Sequence, residues 1–319
     1  MAEQAIKACG PVALVDPDDV PRDAFVFLVG MMGAPAVIVE KLPSGKEALR
    51  AIEALAQRFG RKITHICCLE AGGINSMIPI AAAARTGLPL IDADGMGRAF
   101  PELQMLLPTL AGIRATPMAL IDEKGNSLII ETVDNRTAEA FARNATVQMG
   151  ASATMAFYPL DGDQVRTALV PRTYGMAYRI GSGLHEARRA HRDPVAEVAK
   201  QLGGSAIFSG KVVDVMRRTV AGFQRGVAMF DGIGEWSGRS LEMDFQNEFL
   251  IARRDGKVII TTPDLTCLVD AQTAEPVTTE TLRYGQRLAV IAAPCYPRWR
   301  SEAAIWRSEE RRVGKECRS

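Results

Sequence analysis

The sequence lacks the features that would place it in several common classes of protein. Its 319 residues contain no apolar run of the roughly eighteen residues that a membrane span needs, and its N-terminus lacks the pattern of a secretory signal. The net charge is only +1, so we expect no nucleic acid or other polyanion as a partner. Six cysteines form no C-x-x-C motif or regular framework, which predicts reduced thiols and a cytoplasmic protein without membrane contact.

Motifs of the common cofactor and catalytic sites are missing as well. The sequence has no G-x-G-x-x-G, no Walker lysine and no G-x-S-x-G nucleophile motif. His65 lies inside an apolar segment, and His185 and His191 do not have the i, i+4 spacing of a helical zinc pair. The cofactor therefore stays unknown at this stage, with a divalent metal left open.

What the chain does contain is a high proportion of apolar residues, 47%, with few aromatics, 6%. Continuous apolar runs at 24–29, 63–69 and 88–91 alternate with helical patterns at 44–59 and 77–84. Continuous apolarity is typical of strands that are buried on both faces, as in a parallel sheet. Residues 119–130 predict a hairpin, and Asp134 predicts the cap of a helix that ends near Gln148.

The pattern changes near residue 204, after which short strands are separated by turns that contain glycine or aspartate. We therefore predict two domains. Residues 1–203 form an α/β domain with a mostly parallel sheet, and residues 204–300 form a smaller all-β domain.

The first candidate site follows the strand at 88–91. Asp92 and Asp94 stand two apart, Gly95 and Gly97 allow a sharp turn, and Pro101 predicts the start of a helix. Ligands of α/β proteins collect at the carboxyl ends of strands, so these carboxylates are candidates for a catalytic base. The alternatives are that Asp94 only caps the turn and that Asp92 makes a buried structural hydrogen bond.

Two other predicted strands end in similar loops. One carries Glu70, Gly72, Gly73 and Asn75, and the other carries Met32 and Gly33. The carboxyl ends of parallel strands lie on one edge of a sheet, so we expect the loops to converge. Clustered carboxylates supply a general acid or base near neutral pH or hold a divalent cation. Each carboxylate is also consistent with a solvated cap.

Several long motifs resemble one known family. They are Val29–Pro35 with Glu40–Lys41, Glu70–Asn75, Asp92–Gln104, Thr262–Asp270 and Leu282–Gln286. In this order they resemble the S-methyl thiohydantoin desulfurase family, over about residues 1–300. The resemblance implies an α/β N-terminal domain, a β-rich C-terminal domain and an association with hydantoin catabolism.

The resemblance also implies a reaction. Water would add to C2 of an S-methyl thiohydantoin-like ring, a thiol would leave, and a hydantoin would remain. We expect Asp94, Glu70 or Asp92 to serve as the base. Ring-binding groups are expected among Asn75, Arg98, Met32 and the glycines at 33, 72, 73, 95 and 97.

A second interpretation is a non-catalytic subunit. The protein would then bind the ring or act as a scaffold in a hydantoinase- or oxoprolinase-type complex. The expected partners are therefore a small ring substrate together with either such subunits or a second copy of the chain.

Both ends of the chain depart from the family pattern. The glycine loop that typically begins the family is absent before Met1, and the family's final segment is missing after Arg300. We therefore expect a fragment truncated at both ends, with an incomplete site whose activity is left open. Residues 307–319 match the in-frame translation of a sequencing adapter, so we expect this tail to take no part in the fold.

Overall fold

The computed structural model describes residues 1–33, 37, 41, 44–220 and 223–301. The chain forms two compact units, Met1–Gly175 and Met176–Ser319. None of the helices within the described residues is both long and apolar enough to cross a membrane. The predicted adapter tail at 307–319, and the part of the first motif at Ala34, Pro35 and Glu40, lie outside the described residues.

The first unit is built on an eight-stranded sheet. Its strands are β1 (Leu14–Val15), β2 (Val26–Gly33), β3 (His65–Cys68), β4 (Leu90–Asp94), β5 (Met118–Ile121), β6 (Ser127–Ile130), β7 (Ser152–Leu160) and β8 (Val170–Pro171). They lie in the order β1-β4-β3-β2-β7-β5-β6, and β8 pairs with β4 outside this path.

This sheet is mixed, so the prediction of a mostly parallel sheet is wrong. Strands β1, β4, β3 and β2 pair in parallel. The hairpin β5–β6, strand β7 against β2 and β5, and β8 against β4 are antiparallel. Strand β7 is almost entirely buried. A continuous apolar run therefore indicates that a strand is buried on both faces, and it does not indicate whether the strand pairs in parallel or antiparallel.

Helices cover the first sheet. They are α1 (Ala2–Cys9), α2 (Glu47–Phe59), α3 (Gly73–Thr86), α4 (Leu107–Leu110), α5 (Asn135–Gln148) and α6 (Gly162–Ala168). The core packs apolar faces of α2 and α3 against β2 and β3, with Phe27, Leu55 and Ile66 fully buried. Asp134 caps α5 by accepting from Thr137 N, which confirms the predicted cap. The helix predicted to start at Pro101 is wrong, because only a 3-10 turn (Leu103–Met105) and the short α4 follow.

The second unit contains a sheet of seven strands. They are β9 (Ser205–Val220), β10 (Phe223–Gly232), β11 (Ser240–Gln246), β12 (Glu248–Arg254), β13 (Lys257–Thr261), β14 (Leu265–Asp270) and β15 (Arg287–Ala293). Their order is β13-β12-β11-β10-β9-β15-β14, and neighbours are antiparallel throughout this path. Phe208, Phe230 and Val290 are at its core, so the predicted all-β C-terminal region is confirmed.

Two further helices precede this sheet, α7 (Thr173–Arg189) and α8 (Pro194–Gln201). The division between the compact units, after Gly175, falls inside α7. The sheet of the second unit begins at Ser205, where the sequence pattern changes. The predicted domain boundary near residue 204 therefore describes the start of the second sheet, and as a domain boundary it stays a prediction.

Candidate functional site

The loops that follow β3 and β4 lie side by side at the carboxyl ends of these parallel strands. Leu69 continues the sheet beyond β3 by donating its N–H to Val29 O at 3.2 Å, and Gly95 N donates to Leu69 O at 3.0 Å. A Cβ at Gly95 would lie 2.6 Å from Leu106 Cδ2 and 3.1 Å from Leu69 O, so this close approach favours glycine. The two loops that carry Glu70 and Asp94 are therefore brought together as predicted.

Asp94 is almost fully buried and accepts three backbone hydrogen bonds from these loops. Its Oδ2 accepts from Ala71 N at 2.8 Å, and its Oδ1 accepts from Met96 N at 2.9 Å and Gly97 N at 2.6 Å. Gly97 has a φ of 67°, a conformation that glycine adopts without strain. The carboxyl group of Asp94 thus joins the loop after β3 to the loop after β4.

Burial raises the pKa of Asp94 to about 6, and the N–H donors of Ala71, Gly97 and Met96 oppose this rise in part. The hydroxyl of Thr173 also lowers the pKa, although its Oγ1 makes no hydrogen bond of normal geometry among the described residues. Thr173 is therefore close to Asp94 without a formed hydrogen bond. Asp94 therefore titrates near neutral pH in a site closed to solvent.

Asp92 lies on the same strand and accepts hydrogen bonds from the first turn of α7. Its Oδ1 accepts from Tyr174 N at 2.8 Å and from Gly175 N at 3.1 Å. These are the second and third residues of the helix, where a capping side chain normally bonds. Arg172, which precedes the helix, has no acceptor on its side chain and cannot cap it. The carboxylate of Asp92 supplies this cap, as the alternative in the sequence analysis anticipated.

Glu70, in the loop after β3, pairs with Asn75 in the first turn of α3, and both residues are partly exposed. Asn75 Nδ2 donates to Glu70 Oε1 at 2.8 Å, and Asn75 Oδ1 accepts from Met31 N of β2 at 2.7 Å. The main-chain carbonyls of both residues accept from the thiol of Cys68, at 2.7 Å for Glu70 and 3.2 Å for Asn75. The amide of Asn75 thus holds the partly exposed carboxylate of Glu70.

The first turn of α3 is exposed beside this carboxylate. Gly72 and Gly73 are both exposed, and a Cβ added to either would have open space around it. Gly72 occupies the N-cap position without a side-chain capping hydrogen bond among the described residues. Ile74 and Met77 are also exposed, with fractions of 37% and 43%, and their i, i+3 spacing places them on one helix face. The arrangement offers N–H donors and an apolar surface close to a carboxylate.

The remaining predicted binding residues have structural contacts of their own. Arg98 Nε donates to Ala99 O at 3.2 Å, and its guanidinium lies 4.7 Å from the centre of the Phe100 ring. Met32 is buried and Gly33 pairs with Ser152 in the antiparallel contact between β2 and β7. A substrate contact of these residues stays a prediction.

The thiols below the site are buried. Cys67 is fully buried and donates to Ala93 O at 3.3 Å. Burial raises the pKa of the Cys67 and Cys68 thiols well above the usual range, and the nearby Asp94 adds to this effect. Both are therefore protonated at neutral pH, and neither has the thiolate character of a nucleophile.

The described residues contain no group of three or more His, Cys, Asp or Glu side chains placed to hold a metal ion. The carboxylates of Asp92 and Asp94 are instead bonded to backbone N–H groups, and that of Glu70 to an amide. What the site offers from its own side chains is a proton acceptor at the surface, with hydrogen-bond donors near it.

Two residues at this site were missed by the sequence analysis. Thr173 is buried next to Asp94, and Tyr174 donates its hydroxyl hydrogen to Ser76 O at 2.9 Å. Burial raises the pKa of Tyr174 above its usual range, so its hydroxyl stays protonated. No signal in the sequence located either residue at this site, because their contacts join segments that are far apart along the chain.

Comparisons with known proteins bear on the whole chain. It is similar to a protein from Chromobacterium violaceum, known from an X-ray crystal structure, with 23% identity and a TM-score of 0.78; the match covers 95% of this chain and 85% of that one. At this identity the similarity establishes the fold alone. The search of curated proteins finds no match.

Two family models match in succession. The S-Me-THD-like N-terminal domain matches residues 1–132, and the S-Me-THD-like C-terminal domain matches residues 133–314. The second match therefore extends into the predicted adapter tail, and its boundary with the first differs from the division after Gly175. Since the two models together cover nearly all of the sequence, the chain belongs to the S-Me-THD-like family.

Proposed function

We propose that this protein hydrolyses S-methyl thiohydantoin-like rings, releasing a thiol and leaving a hydantoin. Membership in the S-Me-THD-like family supports the class of ring. The observation that carries the reaction type is the Glu70 carboxylate, which is held by Asn75 at the exposed start of α3. A carboxylate fixed in this way and partly exposed to solvent is a candidate general base for an attacking water.

The proposed reaction is a substitution at C2 of the ring. The water oxygen forms a bond to C2, and the C2–S bond breaks. One water proton passes to Glu70 as the oxygen attacks, and Glu70 then returns it to the departing sulfur, which leaves as methanethiol. The second water proton moves to the ring nitrogen, so that the C2 carbonyl and N–H of the hydantoin form and no electron acceptor is needed.

Negative charge develops on the ring during the attack, on the nitrogen next to C2 and on the conjugated C4 oxygen. In this proposal the backbone N–H groups of Gly72 and Gly73 donate to that oxygen. Donors at a helix N-terminus are favoured partners for such charge, because the helix dipole adds to the hydrogen bonds. The exposed Ile74 and Met77 provide apolar surface for the S-methyl group.

Glu70 is a better candidate for the base than Asp94 on the evidence of burial. Asp94 has a raised pKa, which suits a base, but only 2% of its surface is exposed and its two oxygens accept three backbone N–H groups. We assign Asp94 the role of holding Ala71 and the neighbouring glycines in place. Asp92 is assigned the role of capping α7.

The test is turnover of an S-methyl thiohydantoin by the purified 319-residue chain. We expect methanethiol, detected with a thiol reagent, and a hydantoin in equal amounts. The variant Glu70→Gln keeps the size of the side chain but cannot accept the proton, so kcat/KM should fall by about 10²- to 10⁴-fold. Glu53→Gln, which changes an exposed carboxylate on α2, is the matched control and should leave kcat/KM unchanged.

Two outcomes would count against this proposal. Activity of Glu70→Gln within a few-fold of the wild type would remove Glu70 from the reaction. Tight binding of the ring without thiol release, measured by calorimetry, would contradict a hydrolase and favour the ring-binding subunit of a larger complex.

A further inference from the structure

The oxygen and the nitrogen of the Asn75 side-chain amide each make a hydrogen bond within the protein. Its Oδ1 accepts from the backbone N–H of Met31 at 2.7 Å, and its Nδ2 donates to Glu70 Oε1 at 2.8 Å. The sequence alone predicts a substrate contact for this amide. In the structure the amide connects a strand in the middle of the sheet to the carboxylate that we assign as the base.

The chemistry of the two partners fixes the orientation of this amide. If the amide turned over, its N–H₂ group would face the N–H of Met31, and its oxygen would face the carboxylate of Glu70. Two donors would then oppose each other at one end and two acceptors at the other, so both hydrogen bonds would be lost. A single orientation therefore satisfies both ends.

Strand β2 has a glycine, Gly30, where the side chain of Asn75 packs against it. A Cβ at Gly30 would lie 3.2 Å from Asn75 Oδ1 and 2.5 Å from Leu69 Cδ2, so a side chain there would push both residues away. Strand β2 pairs with β3 on one side and β7 on the other, which makes it a rigid support. The position of the Asn75 side chain is thus fixed by the sheet as well as by α3.

We propose that Asn75 is a positioning residue, which fixes the Glu70 carboxylate in place and in its ionised form, and that it does not bind the ring itself. A hydrogen bond donated to a carboxylate favours the ionised state, and ionised Glu70 is the state that accepts a proton. The assignment rests on the proposed function, in which Glu70 is the base.

The first test measures the titration of Glu70 without reference to activity. Asn75→Asp keeps an oxygen for Met31 N but places a second carboxylate against Glu70, so the pKa of Glu70 should rise above its wild-type value. Carbon-13 NMR of labelled glutamate carboxyls follows this, with the Glu70 signal identified by its loss in Glu70→Gln. Asn144→Asp, at an exposed position on α5, adds the same charge elsewhere and should leave the Glu70 titration unchanged.

The second test separates positioning from ring binding. Asn75→Ala should lower kcat by about 10²-fold, because the base is no longer held in a reactive geometry. KM should stay within about three-fold, because no ring contact is lost. The acid limb of the pH profile of kcat/KM should also move to higher pH, which the loss of a purely structural contact would not cause.

Two results would overturn the assignment. One is an unchanged Glu70 titration in both Asn75→Asp and Asn75→Ala. The other is a rise in KM with unchanged kcat in Asn75→Ala, which would mean that Asn75 binds the ring. Full activity of Glu70→Gln would instead refute the proposed function, and the NMR titration would still decide whether Asn75 controls Glu70.

Discussion

Carboxylates at the strand ends of the two sheets of this protein illustrate two kinds of hydrogen bonding, one between distant segments and one within a single turn. At the ends of the parallel strands in the first sheet, Asp94 bonds to Ala71 in a different loop, and Asp92 bonds to Tyr174 in a distant helix. In the antiparallel second sheet, Asp270 bonds to Gln272 and Thr273, a few residues further along the chain. The parallel neighbours β3 and β4 bring the loops of Ala71 and Asp94 together, and the antiparallel β8 brings the start of α7 to Asp92, whereas the bonds of Asp270 stay within one turn.

The pKa values of Asp94 and Asp270 are shifted in opposite directions, because the two carboxyl groups differ in burial. Asp94 and Asp270 both accept hydrogen bonds from backbone N–H groups, which favour the ionised form. The pKa of Asp270 is lowered, chiefly by the N–H of Thr273. The pKa of Asp94 is raised to about 6, because burial outweighs three such donors. Similar hydrogen bonds therefore do not give the two carboxyl groups similar pKa values. The buried one, Asp94, is the one that changes charge near neutral pH.

The largest expected effect is on the pH dependence of stability at Asp94. Its pKa in the folded protein, about 6, is above the ordinary value of 3.8, so between these pH values the folded state holds a proton that the unfolded state has released. Stability contributed by this group therefore falls as pH rises through that window and stays constant above it. The difference corresponds to on the order of 3 kcal/mol.

Asp94→Asn removes this titration. Relative to the wild type, the free energy of unfolding of the variant should increase by about 3 kcal/mol between pH 4 and pH 7. Urea unfolding at a series of pH values measures it, and taking the difference between the two proteins removes the contributions of all other groups. A difference that is flat with pH would show that Asp94 is ionised as readily in the folded protein as in the unfolded one.

A smaller effect is expected at Asp92. Removing the cap of α7 in Asp92→Ala should lower the free energy of unfolding by about 1–2 kcal/mol, because the N–H groups of Tyr174 and Gly175 lose their acceptor. Asp92→Asn retains an acceptor oxygen and should lose much less. If Asn were as damaging as Ala in thermal melts, the charge of Asp92 would matter more than its hydrogen bonds, and the capping role would be refuted.

The smallest effect is expected at Asp270, with the opposite sign to Asp94. The three hydrogen bonds that it receives all end on Oδ1, so Asp270→Asn keeps an acceptor for each of them. Because its pKa is lowered, ionised Asp270 stabilises the fold above about pH 4 and loses this contribution as the pH falls. At pH 7 the free energy of unfolding of the wild type should exceed that of the variant by less than about 1 kcal/mol, and the two values should become equal at acid pH. Urea unfolding at pH 7 and pH 3 tests this. If Asp270→Asn became more stable relative to the wild type as the pH rose, as is expected for Asp94→Asn, the contrast between the two residues would be refuted.

Local features of the fold were predictable from sequence. The hairpin β5–β6 has a polar turn with glycine between two apolar runs, and α5 begins after Asp134, so turn chemistry and capping located both. The direction of β7 was not predictable in this way, because a strand buried on both faces has the same apolar pattern whichever way it pairs. The helix predicted at Pro101 failed for a related reason. The segment after it is held by tertiary contacts, with Leu103 N donating to the buried carboxylate of Glu139 at 3.0 Å.

The sequence alone determined which residues lie at the ends of the strands, Glu70, Asn75, Asp92 and Asp94 among them, because apolar runs and glycine turns are local signals. Only the tertiary structure decided what each of these side chains does. Asp94 is buried beneath two loops, Asp92 caps α7, and the amide of Asn75 lies between Met31 and Glu70. These contacts join segments that are far apart along the chain, so they depend on the order of the strands in the sheet, which no local pattern encodes.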